Sequence, residues 1–185
     1  MSTPDPRDGL VEHLPALRGF AMSLTRNPSA ADDLVQDCII KAWTKFDKFE
    51  PGTNLRAWLF TILRNTFYSD RRKAKREVQD IDGALAERLS QKPDHDGRLA
   101  LKDFWVAFAQ LPVEQREALI LVGALGFSYE DSAQTCGCAV GTIKSRTNRG
   151  RARLAELMHL DGDEDLNLTD KASMAVLNAA PGSRL

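Results

Sequence analysis

Strand-like alternation of apolar and polar residues is nearly absent from this chain, and so is any apolar run long enough to cross a membrane. The nearest approach, Ala118 to Leu125, falls far short of the roughly 20 residues a span needs and closes among glycines. A soluble protein with no membrane contact is expected. Cysteine is scarce as well: Cys38, Cys136 and Cys138 are an odd number, and no charged-then-apolar segment opens the chain. Neither a disulfide framework nor secretion is supported, so a reducing cytoplasm is the expected compartment. Cys136 and Cys138 could form half a zinc site, but no second cysteine pair follows and His159 is badly spaced, so small-residue packing is expected and no metal. His13, His95 and His159 lie far apart, and there is no glycine-rich phosphate loop, nucleophile elbow or paired-carboxylate motif. No enzymatic activity and no cofactor are expected.

Charge is present in quantity and unevenly spread. Lysine plus arginine number 25 against 26 acids, a formal net charge of -1 that by itself suggests no affinity for nucleic acid. Yet from Lys41 to Arg76 there are ten bases and three acids, and from Gly141 to Arg153 five bases (Lys144, Arg146, Arg149, Arg151, Arg153) and no acid. Two cationic blocks set in otherwise acidic sequence predict two polyanion-binding surfaces.

Apolar residues recur at spacings of three and four, which predicts an all-α protein. A first helix is expected from about Leu10 to Leu24, with Pro15 near its start. A second opens at Asn27-Pro28 or at Ser29, with Leu34, Val35, Cys38, Ile39, Ala42, Trp43 and Phe46 on its apolar side. After the break at Glu50-Pro51-Gly52, Thr53 or Asn54 can cap a third, which buries Leu55, Trp58, Leu59, Ile62 and Leu63 before turning basic from Arg64. Periodicity fades between Glu77 and Gly97, where six acids face two bases, predicting a flexible linker. An apolar helix around Phe104, Trp105 and Phe108 follows, and Pro112 starts the next, ended by Gly123 and Gly126. Ser128 and Asp131 then cap a short helix, Gly137 makes a tight turn, and a basic helix runs from Val140 to about Leu160: the helix-turn-helix order. The expected domains are residues 1–76 and 98–160, joined by an acidic linker at 77–97 and followed by an acidic flexible tail at 161–185.

On the last helix Lys144, Ser145, Asn148 and Arg149 are placed to reach base edges in a major groove, while Arg146, Arg151 and Arg153 suit phosphates. On the third, Arg64, Tyr68, Arg71, Arg72 and Lys75 fall on one face with Phe67 beside them, a mixture of aromatic and cationic groups that suits single-stranded or melted DNA. Phe67 is expected to complete the core and Tyr68 to face outward.

The run Asp33-Leu34-Val35-Gln36-Asp37 leading to Ala42-Trp43, then Leu55-Arg56-Ala57-Trp58-Leu59 with Arg64-Asn65, resembles the first conserved domain of the extracytoplasmic-function (ECF) sigma factors of RNA polymerase. Leu111-Pro112 with Gln115-Arg116, Gly126-Phe127-Ser128-Tyr129 and Val140-Gly141-Thr142-Ile143-Lys144-Ser145-Arg146 resemble their promoter-reading domain. The resemblance covers about Leu10 to Leu160 in order. It implies a two-domain helical protein, region 2-like and region 4-like, that binds core RNA polymerase and promoter DNA and is monomeric when free. Asp33, Gln36, Asp37, Ile40 and Trp43 become polymerase contacts. Asn54, Arg56, Arg64, Asn65, Tyr68, Arg71, Arg72 and Lys75 become the -10 and melting surface, with a base held near the loop at 49–54. Thr142 joins Lys144 to Arg153 in reading the -35 element. Within the family the chain is most like the EcfG-type general stress response factors, which a small anti-sigma protein (NepR) holds inactive until a phosphorylated response regulator (PhyR) captures it. Gly150 stands where the family commonly has alanine, and Cys138 where a better helix cap is usual.

Two other readings fit parts of the chain. A sigma-like mimic that binds only the inhibitor would have no reason to keep Arg71, Arg72, Lys144, Arg146 and Arg149. An ordinary helix-turn-helix repressor would leave the 64–76 block unexplained.

Overall fold

Asn27, Asn54 and Ser128 each start a helix by accepting a backbone N–H with a side-chain oxygen, from Ala30, Ala57 and Asp131 at 3.0, 3.1 and 2.9 Å. These caps decide between the alternatives open in the sequence, and they satisfy donors that the first turn leaves orphaned. The computed structural model of the chain describes residues 6–80 and 99–159, with side chains over 9–76 and 103–159. Among the described residues every regular element is helical. A 3-10 turn at Pro6–His13 leads into α1 (Leu14–Thr25), followed by α2 (Pro28–Thr44) and α3 (Leu55–Asp80). The second half holds α4 (Leu99–Ala109), α5 (Val113–Leu119) with a π turn at Ile120–Ala124, α6 (Tyr129–Cys136) and α7 (Val140–Leu157). The linker expected at 77–97 begins as the last turn of α3, and the rest of it, like the tail from 160 on, lies outside the described residues.

Glycines close two helices where the sequence placed them, with one exception. Gly126 (φ +67) turns the chain so that the Phe127 N–H reaches Leu121 O at 2.9 Å, and Gly137 (φ +62) does the same for Cys138 and Ala133 O at 3.0 Å. Gly123, expected to end α5, instead lies inside the π turn. Asp32 and Asp33, past the first turn of α2, do not cap it; Asp32 instead pairs with Arg18 of α1 at 2.6 Å.

Leu17 and Phe20 of α1 pack on Leu59, Phe60 and Leu63 of α3, all fully buried, with Leu34, Cys38 and Ala42 of α2 against them. Phe104, Phe108, Leu119, Ile143 and Leu154 form the second cluster. The two merge. Phe60 lies 5.2 Å from Phe20 on one side and 5.2 Å from Phe127 on the other, and α1 packs on α5 and α3 on α6. Trp43, assigned by periodicity to the apolar side of α2, is 55% exposed, because the helix turns that position past the α3 contact.

Candidate nucleic-acid interface

Helix α7 is anchored by Ile143, Thr147, Gly150 and Leu154, which are buried, and this register turns the opposite side to solvent. Lys144, Asn148, Arg149 and Arg153 are exposed; Thr142, Ser145, Arg146 and Arg151 are half-buried at its flanks. Lys144 lies over the Tyr129 ring at 5.5 Å, so α6 steadies the cation without neutralising it. Arg146 reaches Cys138 Sγ at 4.0 Å, and Ala139, not Cys138, occupies the cap position of α7. At Gly150 an added Cβ would sit 3.0 Å from Leu119 Cδ1, so the glycine permits the α5–α7 approach.

Helix α3 divides into two stretches. Asn65, Arg71, Arg72 and Lys75 are exposed, and so is Asn54 at its cap. Arg56, Arg64 and Tyr68 are turned into the junction between the halves. The Arg56 Nη2 donates to Leu125 O at 2.8 Å, its guanidinium 4.8 Å from the Phe127 ring. Arg64 Nε pairs with Glu117 Oε1, and the Tyr68 hydroxyl donates to Glu117 Oε2 at 3.4 Å. Arg64 also covers the Tyr68 ring at 4.6 Å. Phe67 is buried as expected; Tyr68, expected to face outward, is half-buried against the other half of the molecule.

Two more arginines cross the junction in opposite directions. Arg116 of α5 donates from Nε to Ser23 O at 2.7 Å and from Nη2 to Leu24 O at 3.3 Å, satisfying carbonyls at the end of α1. Arg26, the left-handed residue after α1, donates to Ala109 O at the end of α4 at 2.9 Å. Cations at helix C-termini meet the negative end of each dipole.

Burial sets the electrostatics here. It pushes the Glu117 carboxyl above its usual range in spite of Arg64, while the Arg64 guanidinium, though also desolvated, is held more firmly charged by Glu117. Burial and then Glu117 raise the Tyr68 phenol to about 12, so it keeps its proton and acts as a donor. Burial, with Arg26 and Arg71 nearby, lowers Arg116 to about 10, which leaves it charged at neutral pH.

On α2, Asp33, Gln36, Asp37, Ile40 and Trp43 are all exposed and share one face, an acidic start with an apolar end. Beside it a groove of about 800 Å³ runs between the halves, with Leu34, Phe67, Leu111 and Val113 in its walls and Asp33, Asp37, Arg26 and Arg71 along it. A second cavity of about 440 Å³ lies at the 48–54 loop, which Phe46, Phe49 and Trp58 hold in place with ring centroids 5.3 to 5.9 Å apart. Its polar lining comes from Lys48, Glu50, Thr53, Asn54 and Thr61 on one side and from Asp131, Gln134 and Thr135 of α6 on the other. The weight carried by Arg26, Arg116 and Glu117 was not visible from sequence. The available signal was an adjacent Arg-Glu pair opening an otherwise apolar run, Ala118 to Leu125, at positions that helical periodicity buries. Among the described residues no cluster of His, Cys, Asp or Glu could hold a metal, and no helix is long and apolar enough to cross a membrane.

The model of Sigma-70 region 2 matches residues 10–77, and that of Sigma-70, region 4 matches residues 101–154. The chain is 54% identical over 168 residues to the ECF RNA polymerase sigma factor EcfG of Rhodopseudomonas palustris, covering 91% of this chain and 93% of that one. The sigma factor RpoE of Bartonella quintana, solved in complex with the anti-sigma factor NepR, is 56% identical, with 86% of this chain and all of that chain (100%) covered at a TM-score of 0.76. The PhyRSL–NepR complex from Sphingomonas sp. Fr1 shares the fold at a TM-score of 0.64 with 19% identity, over 85% of this chain and 92% of that one.

Proposed function

This chain belongs to the ECF sigma factors, and from that premise we propose that it directs core RNA polymerase to promoters of the general stress response under the control of an anti-sigma factor. It binds core polymerase, recognises -35 and -10 promoter elements and promotes promoter opening. The observation that carries this is the coexistence, in a chain matched in order by sigma regions 2 and 4, of two cationic helices with the acidic and apolar face of α2.

Each surface has a role that follows from its chemistry. The α2 face, Asp33, Gln36, Asp37, Ile40 and Trp43, docks on polymerase. Residues Thr142, Lys144, Ser145, Asn148 and Arg149 read the -35 element, with Arg146, Arg151 and Arg153 on its phosphates. Asn54, Arg56, Arg64, Asn65, Tyr68, Arg71, Arg72 and Lys75 hold the opened -10 strand, a base entering the cavity beside Phe49 and Asn54. Splitting DNA contacts between domains 1–76 and 98–160 lets polymerase supply the remaining affinity by holding both in place. The groove between Leu34, Phe67, Leu111 and Val113 suits an amphipathic inhibitor helix of the NepR kind, and its occupant competes with polymerase for Asp33 and Asp37. The chain itself catalyses nothing, is a monomer when free, and works in the cytoplasm, where polymerase and DNA are.

Runoff transcription with purified core polymerase and a promoter library tests this. Specific transcripts are expected only when the chain is added, and their loss on replacing Lys144 and Arg149. Failure to bind polymerase or start any transcript would instead favour a mimic that serves only the inhibitor.

A further inference from the structure

The DNA-facing residues of α3 are not equally available. Arg71, Arg72 and Lys75 are open to solvent, whereas Arg64 and Tyr68, about two turns and one turn earlier, grip a carboxylate from the other half of the molecule. Arg64 keeps 16% of its side-chain exposure and Glu117 none. One guanidinium N–H and a phenolic hydroxyl, each donating to a different oxygen of a single anion, are also how such residues hold a backbone phosphate. Arg56, at the start of the same face, is spent on Leu125 O, and Asp131 and Gln134 stand over the cavity beside Asn54.

The rest of the junction is mixed. Apolar contact joins the halves where Phe60 meets Phe127 and where α1 packs on α5 and α3 on α6, and the polar ties are Arg26 to Ala109 O, Arg56 to Leu125 O, and Arg116 to Ser23 O and Leu24 O, hydrogen bonds from charged groups to carbonyls that water can replace. A buried carboxylate survives only while compensated, so Glu117 needs Arg64 and Tyr68 while the halves are together and water once they part.

We propose that Glu117 is an intramolecular stand-in for a promoter phosphate: in the free chain it occupies Arg64 and Tyr68, keeping the strand-opening face closed to DNA until polymerase draws the halves apart. This rests on the sigma-factor assignment of the α3 face and adds its regulation. Single-stranded DNA and Glu117 compete for the same two side chains, so the apparent affinity of the free chain is its open-state affinity multiplied by the fraction of molecules that are open.

The test uses the full chain, a short fluorescein-labelled single-stranded DNA of mixed sequence, and small-angle scattering. Glu117→Gln is expected to bind the DNA roughly tenfold more tightly than wild type and to show a larger radius of gyration, as a rise in open fraction from about a tenth to nearly all would give. Arg26→Ala, which removes an exposed tie outside the DNA face, should shift both readouts the same way by less. The gain should vanish in Glu117→Gln combined with Arg64→Ala. With saturating core polymerase both single variants should transcribe as wild type. Unchanged DNA affinity and unchanged compactness in folded Glu117→Gln overturn the latch; if that variant fails to fold, the same result in Arg26→Ala overturns it. Variants that open and gain affinity while wild type starts no transcript with polymerase would keep the latch and remove the sigma assignment beneath it.

Discussion

The two basic helices carry the same signal in the sequence and different fates in the fold. The cations of α7 turn outward from a buried stripe of Ile143, Thr147, Gly150 and Leu154, and their contacts are local: Lys144 over Tyr129, Arg153 to Glu156 at 2.7 Å. Those of α3 are divided, with Arg56 and Arg64 spent on the opposite half and Arg71, Arg72 and Lys75 left for solvent. Charge in a sequence thus shows that a surface can attract a polyanion, not that the surface is vacant.

The sharpest way to break this contrast is to remove the apolar hinge of the junction. Phe60 is fully buried between Phe20 and Phe127, so Phe60→Ala should cost about 3–5 kcal/mol in urea unfolding, because the cavity lies where both clusters meet. A matching truncation on α7, Lys144→Ala, should leave stability nearly unchanged, since that side chain is exposed.

On DNA the two helices should separate by kind of loss. Lys144→Ala and Arg149→Ala should each cost about 1–3 kcal/mol of discrimination between promoters while polymerase binding persists. Arg72→Ala on α3 should weaken binding to all sequences alike and lower the salt slope by about one. Competition binding against mismatched -35 sequences at several salt concentrations measures both, and a sequence-dependent loss for Arg72→Ala would erase the distinction.

Thiol chemistry sharpens the comparison further. Cys38, buried beneath α3 with its thiol on Leu59 O at 3.5 Å, is pushed up to about 12 by burial, and burial raises Cys136 also. A raised folded-state pKa means stability is complete below the ordinary thiol range, about 8.5, and is lost as pH climbs from there toward 12. Melting temperature should therefore fall over that window, and less so in Cys38→Ala when each is compared with its own neutral-pH value. Alkylation of the native chain should label half-buried Cys138 beside α7 first, and Cys38 and Cys136 only on unfolding.

The smallest effect lies within α7. Nothing surrounds Gly141, so Gly141→Ala should stabilise by about 0.5–1 kcal/mol in thermal unfolding. Gly150→Ala should gain less, because its methyl group meets Leu119 Cδ1 at 3.0 Å. Equal gains would mean that α5 and α7 pack more loosely than the distance implies.

What the sequence by itself determined is whatever depends on near neighbours. The cap at Ser128, the turn at Gly137, the buried stripe of α7 and the exposed start of α2 follow from hydrogen bonds and periodicities spanning a few residues and were legible, while the caps at Asn27 and Asn54 were legible to within one or two residues. Family motifs are legible for the same reason, being short and local. Tertiary structure alone decided that Tyr68 faces Glu117 instead of solvent, that Trp43 leaves the apolar side of α2, that Arg116 binds the end of α1 and that Arg26 binds the end of α4. The Tyr68, Arg26 and Arg116 contacts join residues 49 to 93 positions apart, where burial cost and charge compensation are set by the partner surface and no local pattern encodes which partner that will be.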